Sequence, residues 1–265
     1  MTLTRSRLHD AADRLIAAAD APRQCEPVRD ILGDNDIASA YAVQNLITED
    51  SLRRGRTIVG HKIGLTSPAV QRQLGVDQPD SGMLFADMRV IDGATVPAGR
   101  LLQPKVEAEI AFILAADLVD DLSEDAVRAA AGVAVPAIEI VDSRIRDWSI
   151  SIVGTVADNG SSALFVLGES RIPVADIDFV SRAMVLTEDG ATVSQGRGSD
   201  CLGSPLLALQ WLARTARDNG SPLRAGHIVL SGALGPMVPA RPGSTYASTI
   251  DGIGSVAVGF AGNAA

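Results

Sequence analysis

From Thr57 onward the chain consists of short apolar runs separated by glycine and proline, and this texture sets the fold class before anything else. The runs cover residues 58–65, 106–114, 133–141, 163–167, 183–187, 227–230 and 255–260. They are too short for buried helices and have the length of strands. Asp189-Gly190, between Met184-Val185-Leu186 and Ala191-Thr192-Val193, predicts a hairpin, because a tight primed turn needs positive φ at its centre. Helices are few in this part. One is expected after Ser123, with Glu124 and Asp125 in its first turn; another starts at Ser204-Pro205, runs to Asp218 and stops at Gly220. No regular strand-helix-strand alternation is present, so the expected class is α+β, a folded mixed β-sheet rather than a doubly wound one. The segments 5–20 and 37–54 are amphipathic at helical spacing, which divides the chain into an N-terminal helical part, 1–56, and a strand-rich part, 57–265.

The charge balance removes several functions. A net charge of −9 disfavours nucleic acid as a partner, since phosphate binders present clustered basic surface. The one basic cluster, Arg53-Arg54-Gly55-Arg56, reads as a solvated helix end. No run is long enough to cross a bilayer, and the first 21 residues lack the unbroken apolar core of a signal peptide. Cys25 and Cys201 carry no partner motif, so neither a disulfide framework nor a thiolate zinc site is expected, and a reducing, cytoplasmic compartment fits.

Three carboxylates stand out. In Lys105-Val106-Glu107-Ala108-Glu109-Ile110-Ala111-Phe112 two acids lead straight into an apolar strand, and residues two apart on a strand share a face. Side by side they repel each other, so they either face water or share a cation. Glu139 interrupts a run, Val135 to Val141, that otherwise has the composition of an interior. A buried carboxylate needs a proton, a cation, or an ion pair, for which Arg144 and Arg146 are near in sequence. If the fold brings Glu139 beside Glu107 and Glu109, the three make an all-oxygen site for a hard divalent ion, with open positions for water and a chelating acid.

Several motifs then resemble one family. Gly60-His61-Lys62-Ile63-Gly64-Leu65-Thr66, Leu74-Gly75-Val76-Asp77-Gln78-Pro79-Asp80-Ser81-Gly82, Glu107-Ala108-Glu109, Ser143-Arg144-Ile145-Arg146-Asp147-Trp148, Ala157-Asp158-Asn159 and Gly232-Ala233-Leu234-Gly235-Pro236-Met237 occur in the order found in 2-keto-4-pentenoate hydratases. The resemblance spans nearly the whole chain. It implies a fold like the C-terminal domain of fumarylacetoacetase, a β-roll, and a Mg²⁺ or Mn²⁺ ion on Glu107, Glu109 and Glu139. It further implies Lys62 and Asp80 as catalytic groups and Leu65 and Ser161 as substrate contacts. The family often has Ala where this chain has Gly160. The implied substrate is a small anionic 2-hydroxy-dienoate or 2-oxo acid: 2-hydroxypenta-2,4-dienoate, hydrated to 4-hydroxy-2-oxopentanoate in aromatic meta-cleavage pathways. The implied assembly is a homo-oligomer, a pentamer or decamer. Two rivals remain: a 4-oxalocrotonate decarboxylase or longer-chain hydratase, which for a second carboxylate needs a distal cation such as Arg144, Arg146 or Arg197, and a non-catalytic partner subunit.

Overall fold

The computed structural model describes residues 4–67, 71, 78–175 and 177–262. Leu74 to Asp77 of the second motif therefore lie outside the described residues. Helices α1 (Arg5–Asp20), α2 (Arg29–Leu32) and α3 (Ile37–Arg53) form the N-terminal layer; α4 (Glu124–Ala130), α5 (Ile152–Ala157) and α6 (Pro205–Asp218) interrupt the strands. The caps expected at Ser123 and Ser204 are present, and Asp36 adds a third. The Asp36 carboxylate accepts from Ser39 N, the Ser123 hydroxyl from Ala126 N and the Ser204 hydroxyl from Leu206 N, each supplying an acceptor to an otherwise orphaned helix-start amide. The layer buries Ala11, Ala12, Leu15, Val28, Leu32, Ala40 and Val43 against Ile145 and α5.

The strands in chain order are β1 (Ile58–Gly64), β2 (Asp80–Phe85), β3 (Arg89–Val90), β4 (Thr95–Val96), β5 (Lys105–Ile113), β6 (Val133–Val141) and β7 (Ser162–Leu167). They continue with β8 (Ile172–Pro173), β9 (Ala183–Glu188), β10 (Ala191–Arg197), β11 (Ile228–Ala233), β12 (Val238–Pro239), β13 (Thr245–Ile250) and β14 (Gly254–Phe260). The Asp189-Gly190 turn between β9 and β10 has φ of 49° and 85°, as the hairpin requires.

Among the described residues these strands make two mixed sheets. The larger runs β2-β1-β11-β5-β6-β7-β3, with β12 on β5 and β8 on β6; the smaller runs β10-β9-β13-β14-β4. The turn Ala86–Met88 joins β2 at one end of the larger order directly to β3 at the other, so that sheet curls back on itself as a roll. Its outer face packs on the smaller sheet and α6, through Val106, Ile110, Phe112, Ile138 and Ile140 against Met184, Leu186, Tyr246, Val258 and Leu212. Its inner face buries a separate apolar cluster of Met83, Phe85, Ala111, Ala137, Phe165 and Leu230. The unusual polar residues sit beyond that inner cluster, along the same strands.

Candidate active site

Alternation along β5 sends Val106, Ala108, Ile110 and Phe112 into the core between the sheets and turns Glu107 and Glu109 to the inside of the roll. Register then supplies the third acid: Glu139 on β6 pairs directly with Glu107, and Glu109 pairs with Ala137. Glu109 and Glu139 are buried, while Glu107 keeps partial access to solvent. Lys62 and Asp80 arrive on β1 and β2, where Gly64 pairs with Asp80 and Lys62 with Gly82. The buried Lys62 ammonium stands 3.8 Å from Asp80 Oδ1 and 3.9 Å from Glu139 Oε2. The five expected charged groups thus meet on one surface.

Local hydrogen bonds hold Glu109, Glu139 and Asp80 each by one oxygen. Gly232 N donates to Glu109 Oε2 at 2.7 Å, Ser162 Oγ to Glu139 Oε1 at 2.7 Å and Thr155 Oγ1 to Asp80 Oδ2 at 3.0 Å. Among the described residues Glu109 Oε1 and Asp80 Oδ1 are buried with no hydrogen-bond donor. Close backbone approach keeps this interior tight: a Cβ on Gly64 would stand 2.2 Å from Asp80 Oδ1, and one on Gly160 would stand 2.5 Å from Lys62 Cε.

One buried ammonium faces four carboxylates, and the protonation equilibria follow. Burial, reinforced by the Glu139 charge, pushes the Glu107 carboxyl up to about 7. Burial, with Glu139 and Glu107, raises Glu109 well above the ordinary range. Glu139 is raised by burial despite Lys62 and Ser162. Burial pulls the Lys62 ammonium down, but Glu139, Asp80, Glu107 and Glu109 together outweigh it and hold it charged. The salt bridge to Arg144 or Arg146 left open for Glu139 does not form, because Arg144 pairs with Asp158 and Arg146 with Glu26.

A hard divalent ion fits this donor set: every available group is an oxygen, Glu109 Oε1 is an orphaned buried acceptor, and the negative charge exceeds what Lys62 balances. Among the described residues no three acid, histidine or cysteine side chains already converge tightly enough to hold an ion. Convergence of Glu107, Glu109 and Glu139 requires rotamer changes, which the staggered torsions of glutamate permit.

Ser161 and Leu65 are placed differently from the acids. Ser161 (φ 52°) ends a left-handed turn with Asn159 (φ 57°) and Gly160 (φ 60°), and its hydroxyl donates to Asp158 Oδ2 at 3.2 Å. Its neighbour Ser162 is the serine that touches a glutamate. A register shift between Ile140 and Val141, opposite the start of β7, accompanies that placement. Leu65 (φ 57°) closes β1 and packs on the helical layer's cluster. Thr155, on α5, and Ser162 are site residues that carry no motif of their own. A cavity of about 410 Å³ between α1, α3 and β7 touches the site through Ser162 but is lined by neither Lys62 nor any of the four acids. Of its four arginines, Arg54, Arg56 and Arg144 are paired with aspartates and Arg100 donates to the backbone carbonyl of Asp87.

The model of the fumarylacetoacetate (FAA) hydrolase C-terminal family matches residues 58–260. The chain is 54% identical over 255 residues to 2-keto-4-pentenoate hydratase 1 of Dechloromonas aromatica, covering 95% of this chain and 97% of that one. It is 52% identical over 250 residues to the 2-keto-4-pentenoate hydratase of Burkholderia vietnamiensis, covering 94% and 95%. The solved 4-oxalocrotonate decarboxylase of Pseudomonas putida G7, complexed with magnesium and adipate, superposes with a TM-score of 0.93 at 32% identity, covering 98% of this chain and 99% of that one.

Proposed function

This chain belongs to the fumarylacetoacetate hydrolase family, and from that premise we propose that it is a divalent-metal-dependent hydro-lyase of aromatic meta-cleavage catabolism. It converts 2-hydroxypenta-2,4-dienoate (2-keto-4-pentenoate) to 4-hydroxy-2-oxopentanoate. The observation that carries the reading is the pairing of Glu107 with Glu139, with Glu109 beside them and Lys62 and Asp80 within reach, in a chain alike over nearly its whole length to such hydratases.

Glu107, Glu109 and Glu139 would hold Mg²⁺ or Mn²⁺, and the ion, when bound, supplies positive charge for the oxygens of a 2-oxo acid. Lys62, kept charged, donates to the acid's C2 oxygen or carboxylate. Asp80 Oδ1 is the proton-carrying atom, since Thr155 occupies Oδ2 and Oδ1 has no other donor. Over the reaction the 2-hydroxyl loses its proton, C5 and C3 each gain one, and a water hydroxyl bonds C4, so one water is consumed. Ser161 has already given its hydroxyl hydrogen to Asp158, so toward substrate its oxygen acts as an acceptor. Leu65 contributes apolar substrate contact from the end of β1.

A decarboxylase needs a cation for the second carboxylate; Arg144 and Arg146 are committed to Asp158 and Glu26, and Arg197 is exposed at the end of β10 in the smaller sheet. The decisive measurement follows dienoate absorbance and CO₂ release in parallel. Mg²⁺- or Mn²⁺-dependent loss of 2-hydroxypenta-2,4-dienoate is expected, with no CO₂ from 4-oxalocrotonate, and Glu139→Gln should abolish turnover with the fold intact. Turnover that survives exhaustive chelation would sink the metal model.

A cytoplasmic location is part of this reading; among the described residues no helix is long and apolar enough to cross a membrane. Residues 1–56 are taken as a helical annex to a catalytic domain, 57–265. The family resemblance is the ground for proposing a homo-oligomer, a pentamer or decamer; Ile91, 80% exposed, is an apolar side chain that such an assembly could cover.

A further inference from the structure

Lys105 opens the same face of β5 that carries Glu107 and Glu109 two and four residues on. Accessibility falls along that row: Lys105 and Glu107 are partly exposed and Glu109 is fully buried, so solvent reaches the acids from the Lys105 end. Any anionic substrate must therefore approach a row of carboxylates whose one buried cation, Lys62, lies deeper, between Asp80 and Glu139. Glu107, Glu109, Glu139 and Asp80 carry four negative charges when ionised, so Lys62 and a divalent ion together still leave the row net negative, and positive charge at the entrance eases the approach of an anion.

Lys105 is built into that position. Its Nζ lies 4.1 Å from the centre of the Trp148 ring, a cation–π contact that aims the ammonium while leaving donors available, and among the described residues no carboxylate lies within 4.0 Å of it. Trp148 is itself fixed. Asp147 and Trp148 hold φ of 55° and 53°, a left-handed conformation costly for residues other than glycine. Trp148 Nε1 donates to Gln103 O at 3.0 Å, and the Gln103 side chain donates to Ser143 O and Ile145 O, which ties the loop to the start of β5. The Ser143-to-Trp148 motif, which the catalytic groups leave unused, thus builds an aromatic seat for one lysine.

We propose that Lys105, seated on Trp148 at the solvent end of the glutamate row, recognises the carboxylate of the incoming 2-hydroxy-dienoate and offsets the negative field at the entrance. The proposal rests on the hydratase reading and concerns binding, not chemistry. With Mn²⁺ saturating, Lys105→Gln is expected to raise KM for 2-hydroxypenta-2,4-dienoate about tenfold. Its kcat is expected to stay within about twofold, the signature of a contact made equally in ground and transition states. Oxalate, titrated calorimetrically into the Mn²⁺-loaded protein, should weaken by the same factor, and kcat/KM should lose part of its salt dependence. Lys105→Arg should restore KM, Trp148→Leu should raise it, and Mn²⁺ affinity should not fall in any of the three. A Lys105→Gln protein with KM and oxalate affinity unchanged, or with kcat alone reduced, overturns the assignment. If the wild-type protein neither binds Mn²⁺ nor turns over the dienoate, the hydratase reading fails first and this one with it; normal wild-type behaviour with an indifferent Lys105→Gln variant isolates the failure to Lys105.

Discussion

Polar residues alternate with apolar ones in both sheets, yet the alternation has opposite consequences. In the smaller sheet, β10 turns Thr192 and Gln195 to solvent while Ser194 points in, and β13 exposes Thr245 and Thr249 between the buried Tyr246, Ser248 and Ile250. Those exposed side chains cost almost nothing, because water replaces every partner they lack. In the larger sheet the alternating face is the inside of a roll, and Glu109, Glu139, Lys62 and Asp80 are almost fully desolvated. There the same pattern carries a penalty that only pairing, protons or an ion can offset. The difference between a surface strand and a reaction site is therefore set by what covers the second face.

The largest test of that contrast is Glu109→Gln. The amide is nearly isosteric and its oxygen can still accept from Gly232 N, so the strand should keep its place. Turnover is expected to fall by about 10³-fold or more, since a ligand for a charge-stabilising ion is lost. Without metal, unfolding free energy is expected to rise by about 1–2 kcal/mol, because a buried acid with an orphaned oxygen is gone. Denaturant unfolding of both proteins in chelator, and again with Mn²⁺, checks this. A variant less stable than wild type under chelation would show that the acid supports the fold, and the contrast between the sheets would collapse.

A smaller effect tests whether the roll's tightness serves the site. Ala at Gly64 puts a methyl where Asp80 Oδ1 and Lys62 Nζ already lie, at 2.2 and 2.8 Å, and Asp80 is pinned from the other side by Thr155. Displacement of about 1 Å at a proton-carrying group costs about 10²-fold, so kcat of Gly64→Ala should fall by about that much with KM little changed. Wild-type kcat in this variant would mean that the Asp80–Lys62 spacing does not matter to the reaction.

The legible part of this molecule is the part where local pattern and burial agree. The strands from 106 to 114 and 133 to 141 follow from their apolar runs, the Asp189-Gly190 hairpin from its turn chemistry, and α6 from Ser204-Pro205. Glu107, Glu109 and Glu139 are visible because acids in apolar runs conflict with their neighbours. Helix α5 is hidden: Ile152, Val153, Thr155 and Val156 are β-branched and Gly154 is a poor helix former, yet Ser151 caps it and every residue in it is buried. Thr155 on that helix is hidden with it. Ser162 is hidden for a different reason, since its contact with Glu139 goes with a register shift that no local pattern encodes. Lys62 and Asp80 are ordinary strand residues by composition. Their role follows from β1 and β2 lying against each other, and from family resemblance.

The smallest expected effect is the most exacting for the comparison, because it puts the same charge on the other sheet. Gln195 lies on the exposed face of β10, the outermost strand of the smaller sheet in the described order, with Arg197 two residues along the same face. Gln195→Glu adds a carboxylate to a strand just as Glu139 does, but into water and near a cation. Its stability change should stay within about 0.5 kcal/mol, as for surface substitutions generally. Its carboxyl should titrate near the ordinary glutamate value of about 4.3, readable by carbon-detected NMR, and turnover should equal wild type. If the new acid instead titrates high, or destabilises by more than the Glu109→Gln exchange stabilises, then burial inside the roll is not what distinguishes the two sheets. The raised carboxyls at Glu107, Glu109 and Glu139 would then need a cause other than desolvation and mutual repulsion.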